Sequence, residues 1–120
     1  MEASDLNICL VTRIMPVHES GGMQYNTLNL GRALIQYGHR ATILTTSHPH
    51  YVDRDYVDDI DGVRVHYLGR CPPGMYSKEF GTRSVSTFIE LHRECPVDII
   101  HGQNSAALYL YRNRIPVRYN

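Results

Sequence analysis

Two segments of this sequence carry residue types that can do chemistry at a useful spacing. In the first, His18-Glu19-Ser20-Gly21-Gly22, a glycine pair stands directly before a stretch with helical periodicity. Glycine lets a backbone come close to a ligand, and the first N–H groups of a helix have no partner inside the helix, so together they offer partial positive charge to a phosphate or carboxylate. The same pair also suits a plain strand-to-helix turn, and the local sequence leaves both readings open. In the second segment, Asp98-Ile99-Ile100-His101-Gly102-Gln103-Asn104-Ser105, an apolar run ends in His101, Gln103, Asn104 and Ser105. A histidine there can move a proton at neutral pH, whereas a glutamine offers only hydrogen bonds. A buried His101 bonded to backbone is the equally open alternative.

The elements that must position these residues follow from periodicity. Asn7 to Arg13 is a nearly continuous apolar run, the pattern of a parallel strand covered on both faces. From Met23 the stripe Met23, Thr27, Leu30, Leu34, Tyr37 has helical spacing, Gly38 supplies a terminator, and Arg40 to Thr46 reads as the next strand. Strand, helix and strand within about forty residues make a right-handed βαβ unit. Its ligands bind at the carboxyl ends of the strands, where the loop Ile14 to Gly22 lies. The segment from Asp98 to Ser105 is a buried strand delivering polar groups to the same edge, followed by a helix capped by Asn104 or Ser105. Two polar loops on one rim of a parallel sheet predict a cleft there.

Other nucleotide folds fail on the same residues. A dinucleotide fold wants G-x-G-x-x-G after the first strand and an acid ending the second, where this chain has Thr45-Thr46-Ser47-His48. No glycine-rich loop ends in Gly-Lys-Ser or Gly-Lys-Thr, and the only lysine is Lys78. Twelve basic and twelve acidic residues cancel, which gives no electrostatic case for nucleic acid or an anionic membrane. No run approaches the roughly eighteen apolar residues of a transmembrane helix, and Met1-Glu2-Ala3-Ser4-Asp5 is unlike a signal peptide, so cytoplasmic residence is expected. Cys9, Cys71 and Cys95 lack ligand-like spacing and are expected as reduced thiols, with no metal site.

Met15-Pro16-Val17-His18-Glu19-Ser20-Gly21-Gly22-Met23-Gln24, then Leu28 to Leu34 and Gly38 to Thr45, resemble the amino-terminal domain of GT-B glycosyltransferases of family 4. Members show a Pro-x-x-Gly-Gly loop, a helix ending Leu-Ala-x-x-Gly-His and a strand of the type Val-Thr-Val-Leu-Thr. Asp61 to Leu68 and Pro96 to Gly102 are similar to the family's later strands, in the same order. The resemblance implies an α/β fold with a Rossmann-like parallel sheet and helices on both faces, the incomplete amino-terminal half of a GT-B architecture. It implies transfer of a glycosyl group from a nucleotide-diphosphate sugar to an acceptor hydroxyl with retention, without cofactor or metal. Gly21 and Gly22 would meet the donor phosphate, and His18, Glu19, Gln24, Gln103, Asn104 and Ser105 would orient acceptor or sugar. The family commonly reads His-x-His where this chain has His101-Gly102-Gln103, so His101 is the catalytic candidate and acid–base duty at Gln103 is in doubt.

The remaining pieces are less regular. Ser47 to Asp61, with Asp53, Asp55, Asp58 and Asp59, reads as a solvated loop, though its carboxylates could contact acceptor hydroxyls. Asp61-Gly62 is a turn, Val63 to Leu68 a half-exposed strand, and Cys71 to Tyr76 a rigid connection from which Tyr76 and Lys78 could reach a substrate. A packing helix is expected over Thr82 to Glu94, with Val85, Phe88, Ile89 and His92 on one side, ended by Cys95-Pro96. His92 there fits a boundary residue with a water or backbone partner. The 120 residues make one domain, yet a further strand starts at Ile115 to Asn120. The expectation is therefore a single partial domain over 1–120, lacking a carboxyl-terminal donor-binding domain and incomplete as a catalyst by itself. A non-catalytic sugar, phosphate or nucleotide module, or a remnant that self-associates through an exposed sheet edge, is the competing reading.

Overall fold

The computed structural model describes residues 5–19 and 21–120; Met1–Ser4 of the polar amino terminus and Ser20 of the diglycine motif lie outside that set, as does the Met23 side chain. The chain runs β1 (Asn7–Val11), α1 (Gly22–Gln36), β2 (Arg40–Thr45), β3 (Tyr56–Ile60), β4 (Val63–Tyr67), α2 (Lys78–Glu94), β5 (Ile99–Gly102), α3 (Leu108–Arg112) and β6 (Arg118–Tyr119). The sheet order is β3-β4-β2-β1-β5-β6. From β1 the chain builds outward through β2 to β4 and then returns to β5 on the other flank, with β1, β2, β4, β5 and β6 parallel. That reversal puts a topological switch point between β1 and β5.

Each face of the sheet has its own core. Ile8, Leu10, Ala41, Ile43, Val63, Val65 and Tyr67 pack with Leu28 of α1 on one side. Cys9, Val11, Leu44, Leu68 and Ile100 pack with Phe80 and Phe88 of α2 and Leu110 of α3 on the other. The α1 stripe is displaced from the one read in the sequence. Thr27, Leu28 and Gly31 face inward, whereas Leu30 is 37% and Tyr37 79% exposed. The reason is Gly31, where a Cβ would lie 3.2 Å from both methyls of Val63: the point of closest approach is a residue that hydropathy does not mark. Gly38 ends α1 as expected, at φ 93°, with its N–H on the Ile35 carbonyl at 3.0 Å and the His39 N–H on the Leu34 carbonyl at 2.9 Å.

The stretch read as a solvated loop contains a strand. β3 pairs antiparallel with β4, so the sheet is mixed at this edge. Asp61 (φ 53°) and Gly62 (φ 89°) form the two-residue hairpin turn whose geometry matches strand twist. Asp58 and Asp59 hid the strand from a hydropathy reading, and acids on an edge strand discourage pairing with other chains. Asp55, also read as solvated, accepts the Gly69 N–H at 2.7 Å and the Arg83 guanidinium, tying this excursion to β4 and α2. Burial works to raise the Asp55 pKa, but the Arg83 hydrogen bond, the Gly69 N–H and the Arg83 charge outweigh it and hold the carboxyl below its usual value.

Two helix starts also differ from expectation. α2 begins at Lys78 rather than near Thr82, because the Ser77 hydroxyl accepts the Phe80 N–H at 3.0 Å. Its inward residues are Phe80, Gly81, Ser84 and Phe88, while Ile89 is 40% exposed. His92 has the backbone partner expected of it, accepting the Val97 N–H on Nδ1 at 2.8 Å and closing the turn through Cys95-Pro96. α3 begins at Leu108, and neither Asn104 nor Ser105 caps it; Asn104 is left-handed at φ 56° in the preceding turns.

Gly69 marks where the 48–55 excursion lies against the strand end, and a Cβ there would sit 2.4 Å from the Arg54 carbonyl carbon and 2.7 Å from its Cα. Backbone cannot rotate aside as a side chain can. Gly69→Ala is expected to cost roughly 1–3 kcal/mol by overpacking. A chemical denaturation midpoint equal to that of the unsubstituted chain would refute this contact.

Candidate functional site

The carboxyl rim of the sheet is built by four loops, which follow β1, β2, β4 and β5. Two buried hydroxyls at the end of β2 join three of them. Thr46, 0% exposed, donates its hydroxyl to the Arg13 carbonyl at 2.7 Å and accepts the Gly74 N–H at 2.7 Å. Ser47, also 0% exposed, donates to the Leu68 carbonyl at 2.6 Å and accepts the Cys71 N–H at 3.0 Å. Arg13 crosses the same gap, donating from Nη1 to the Gly74 carbonyl at 2.6 Å with its guanidinium 5.5 Å from the Tyr76 ring centroid. Tyr76 reaches on to the β5 loop, donating its hydroxyl to the Gln103 carbonyl at 3.5 Å. Sequence reasoning named Tyr76 but passed over Arg13, Thr46 and Ser47. Hydroxyls directly after a buried apolar strand were the available clue.

His18 is the fifth member of this network. Its Nδ1 accepts the Met15 N–H at 2.8 Å, so the proton sits on Nε2, which lies 2.8 Å from the Ser47 carbonyl and 3.2 Å from the Thr46 hydroxyl. Both ring nitrogens are thus engaged within the protein. Burial lowers the His18 pKa, and neighbouring His48 adds to this, while the Ser47 carbonyl partly opposes it. The ring is neutral at neutral pH and fixes the tight turn at Met15–His18.

Beyond that turn, Gly21 stands at the N-cap of α1 with no side-chain cap, and no acidic residue occupies the first turn of the helix. A side chain there would meet Gln24, whose Oε1 lies 2.5 Å from the site of a Cβ on Gly21. Among the described residues no side chain caps the first N–H groups of α1, which stand at the positive end of a fifteen-residue helix dipole. Glu19 is exposed and Gln24 half-buried beside them.

Across the switch point, β5 runs parallel to β1 with His101 opposite Leu10 and Gly102 opposite Val11, so its loop leaves at the same lip as the β1 loop. The structure brings both polar segments to one end of the sheet, as the sequence reading required. His101 is half-exposed rather than buried, and its partner is a side chain rather than backbone: the Asn120 amide donates to Nδ1 at 3.1 Å. Gln103 anchors the loop by donating its N–H to the Val11 carbonyl at 2.8 Å, and Asn104 and Ser105 are exposed. A cavity of about 290 Å³ lies beside them, lined by Tyr76, Ser77, Phe80, Ser105 and Tyr109 among others. Lys78 is exposed in the first turn of α2 and does not line it.

The family model for Glycosyltransferase Family 4 matches residues 20–119. The chain belongs to glycosyltransferase family 4. The match takes in both glycines and the whole β5 segment, while His18 and Glu19 fall just before it. Among solved structures, a sucrose-phosphate synthase from Thermosynechococcus elongatus shares the fold, with a TM-score of 0.64 at 18% identity. The likeness covers 94% of this chain and 31% of the synthase, so the chain spans about a third of that protein's length. No curated protein matches the chain. The Rossmann-like α/β reading is therefore correct, amended by one antiparallel edge strand.

Removing the imidazole strands the Met15 N–H and the Ser47 carbonyl in a half-buried turn. His18→Ala is expected to lose roughly 1–3 kcal/mol of stability. The folded pKa of His18 lies below the ordinary 6.5, so its contribution is full above about pH 6.5 and declines as pH falls through the folded value. His48 and His66 are also lowered, chiefly by burial, and act in the same window. The melting-temperature gap between the unsubstituted chain and His18→Ala should therefore narrow between about pH 7 and about pH 5. A gap that stays constant or widens would contradict a half-buried neutral ring.

Proposed function

We propose that this rim is the near side of a glycosyl-transfer cleft: within a longer protein it takes part in moving a glycosyl group from a nucleotide-diphosphate sugar to an acceptor hydroxyl, with retention at the anomeric carbon. The observation that carries the reading is the diglycine start of α1, without a side-chain cap among the described residues, at the same lip as the β5 loop in a chain of glycosyltransferase family 4. Breaking a glycosyl–phosphate bond loads negative charge onto the departing diphosphate. Preorganised donors that meet this charge lower the barrier without having to reorient. The backbone N–H groups at Gly21 and Gly22 are such donors, and they need no protonation step.

In this reading the polar side chains divide by geometry. Glu19, Gln24, Gln103, Asn104 and Ser105 orient hydroxyls of sugar or acceptor. His18 is committed on both nitrogens and serves by holding the β1–α1 turn in register. His101 accepts from Asn120 on Nδ1, so its proton is on Nε2, and it contributes a hydrogen bond at the reacting sugar. Gln103 can neither take up nor release a proton at neutral pH, so its part is confined to orientation. The second half of the cleft and the nucleotide base contacts belong to segments beyond those described.

The test uses the full-length protein and a panel of nucleotide-diphosphate sugars. Gly22→Val keeps the N–H but sets a branched side chain where the phosphate must approach the backbone, and it is expected to lower kcat/KM by about 10²-fold, the scale for losing the use of one preorganised donor. His101→Ala should lower kcat more than it raises KM, and the anomeric proton of the product should show the donor's configuration. Turnover unchanged in Gly22→Val would remove the phosphate role of the diglycine turn.

A further inference from the structure

At the other end of the sheet, under the amino ends of β1, β2 and β4, a cleft of about 270 Å³ opens beside the last turn of α2. Its polar lining includes Arg40, Thr42, Arg64, His66 and Glu94, with Asn7 and Cys95 beside them. Register explains how they meet. Thr42 lies opposite Arg64, and Leu44 opposite His66, on neighbouring parallel strands. Arg40 and Thr42, like Arg64 and His66, are two residues apart and so share one face. Leu91 and Val97 close the apolar side.

Three features point to an anion. Two guanidiniums line the cleft against a single carboxylate, Glu94. Both guanidiniums keep donors in reserve: Arg40 gives Nη1 to the Cys95 sulfur at 3.1 Å, and Arg64 reaches Asp59 only at 3.8 Å, with both of those side chains 62% exposed. The third feature is His66, which lines the cleft and whose enclosed Nε2 has no hydrogen-bond partner among the described residues. Buried polar atoms in native proteins are nearly always paired, so this one is a hydrogen-bonding group still to be used. Burial, helped by Arg64, lowers the His66 pKa, and a neutral ring still has one N–H to give.

We propose that this cleft is a binding site for a small phosphate monoester, with the phosphate held between Arg40 and Arg64, His66 adding an N–H, and Glu94 and Thr42 receiving hydroxyls of the same molecule. Planar guanidiniums match phosphate oxygens two at a time, which an ammonium cannot do. Glu94 opposes a bare anion but favours an anion that carries hydroxyl donors, and this selects a monoester over inorganic phosphate. A volume of about 270 Å³ lies just under the usual range for ligand pockets, about 300–1,000 Å³, and so limits the ligand to a small molecule. None of these residues reaches the carboxyl rim, and the inference stands whether or not the transferase reading holds.

The test is a titration of the full-length protein with inorganic phosphate and with glycerol phosphate, followed by NMR of the arginine Nε–H and histidine ring signals. Saturable changes at Arg40, Arg64 and His66 are expected, with glycerol phosphate the tighter ligand. Arg64→Gln and Arg40→Gln should each weaken it by about tenfold, while Gly22→Val at the far rim should leave this affinity unchanged. Arg64→Gln removes an exposed side chain, so its folding is not at issue. The proposal is overturned if no saturable change reaches these three side chains, if changes are confined to residues 12–22, or if both variants bind as tightly as the unsubstituted chain.

Discussion

Three of the four loops on the carboxyl rim depend on two hydroxyls that never see water. Loops at the end of a sheet cannot be held by the apolar core below them, because their backbone groups still need partners once covered. Thr46 and Ser47 supply those partners from the two residues directly after a buried strand. Each hydroxyl has one proton to give and lone pairs to receive, and each is used both ways: a carbonyl of one loop on the donor side, an N–H of another on the acceptor side. Valine would fill the space of Thr46 but would leave the Arg13 carbonyl and the Gly74 N–H unpaired, so the requirement is for chemistry rather than volume. The β1, β2 and β4 loops are thereby fixed relative to one another.

This clasp sets the electrostatics of the lip. His18 completes it as a neutral ring, which keeps a titrating charge out of the turn that leads to the glycines. What remains positive is permanent. Arg13 is held by a carbonyl and a tyrosine face and takes part in no ion pair among the described residues, and the start of α1 adds its dipole. A lip with one fixed guanidinium and one helix amino terminus, opposed by Glu19, favours an anionic group without requiring any side chain to change protonation.

Much of this was legible in the residues. The parallel strands β1, β2, β4 and β5, the helix α1 with its Gly38 terminator and the shared edge of the two polar segments all follow from hydrophobic period and from glycine, whose signals are local. The misses share a cause in tertiary contact. Gly31 is inward only because Val63 lies against it. β3 exists because β4 pairs with it across an Asp-Gly turn, although its own Asp58-Asp59 reads as loop. α2 gained a turn through one Ser77 hydroxyl, and the expected cap at Asn104 or Ser105 was spent on further turns. In the site, composition flagged residues that hold charge or protons, while the residues that do the holding, Thr46, Ser47 and Arg13, look ordinary one at a time.

His18 and His101 show why residue type alone underdetermines role. Both lie at the same end of the sheet, and both receive a hydrogen bond on Nδ1. The difference is on Nε2. In His18 that nitrogen is spent on the Ser47 carbonyl, so the ring is a strut. In His101 the donor to Nδ1 is a side chain, and Nε2 has no partner among the described residues. Chemistry at a rim belongs to the group with a hydrogen-bonding site left over. The accounting of donors and acceptors, rather than the presence of an imidazole, therefore separates the residue that can act from the residue that positions.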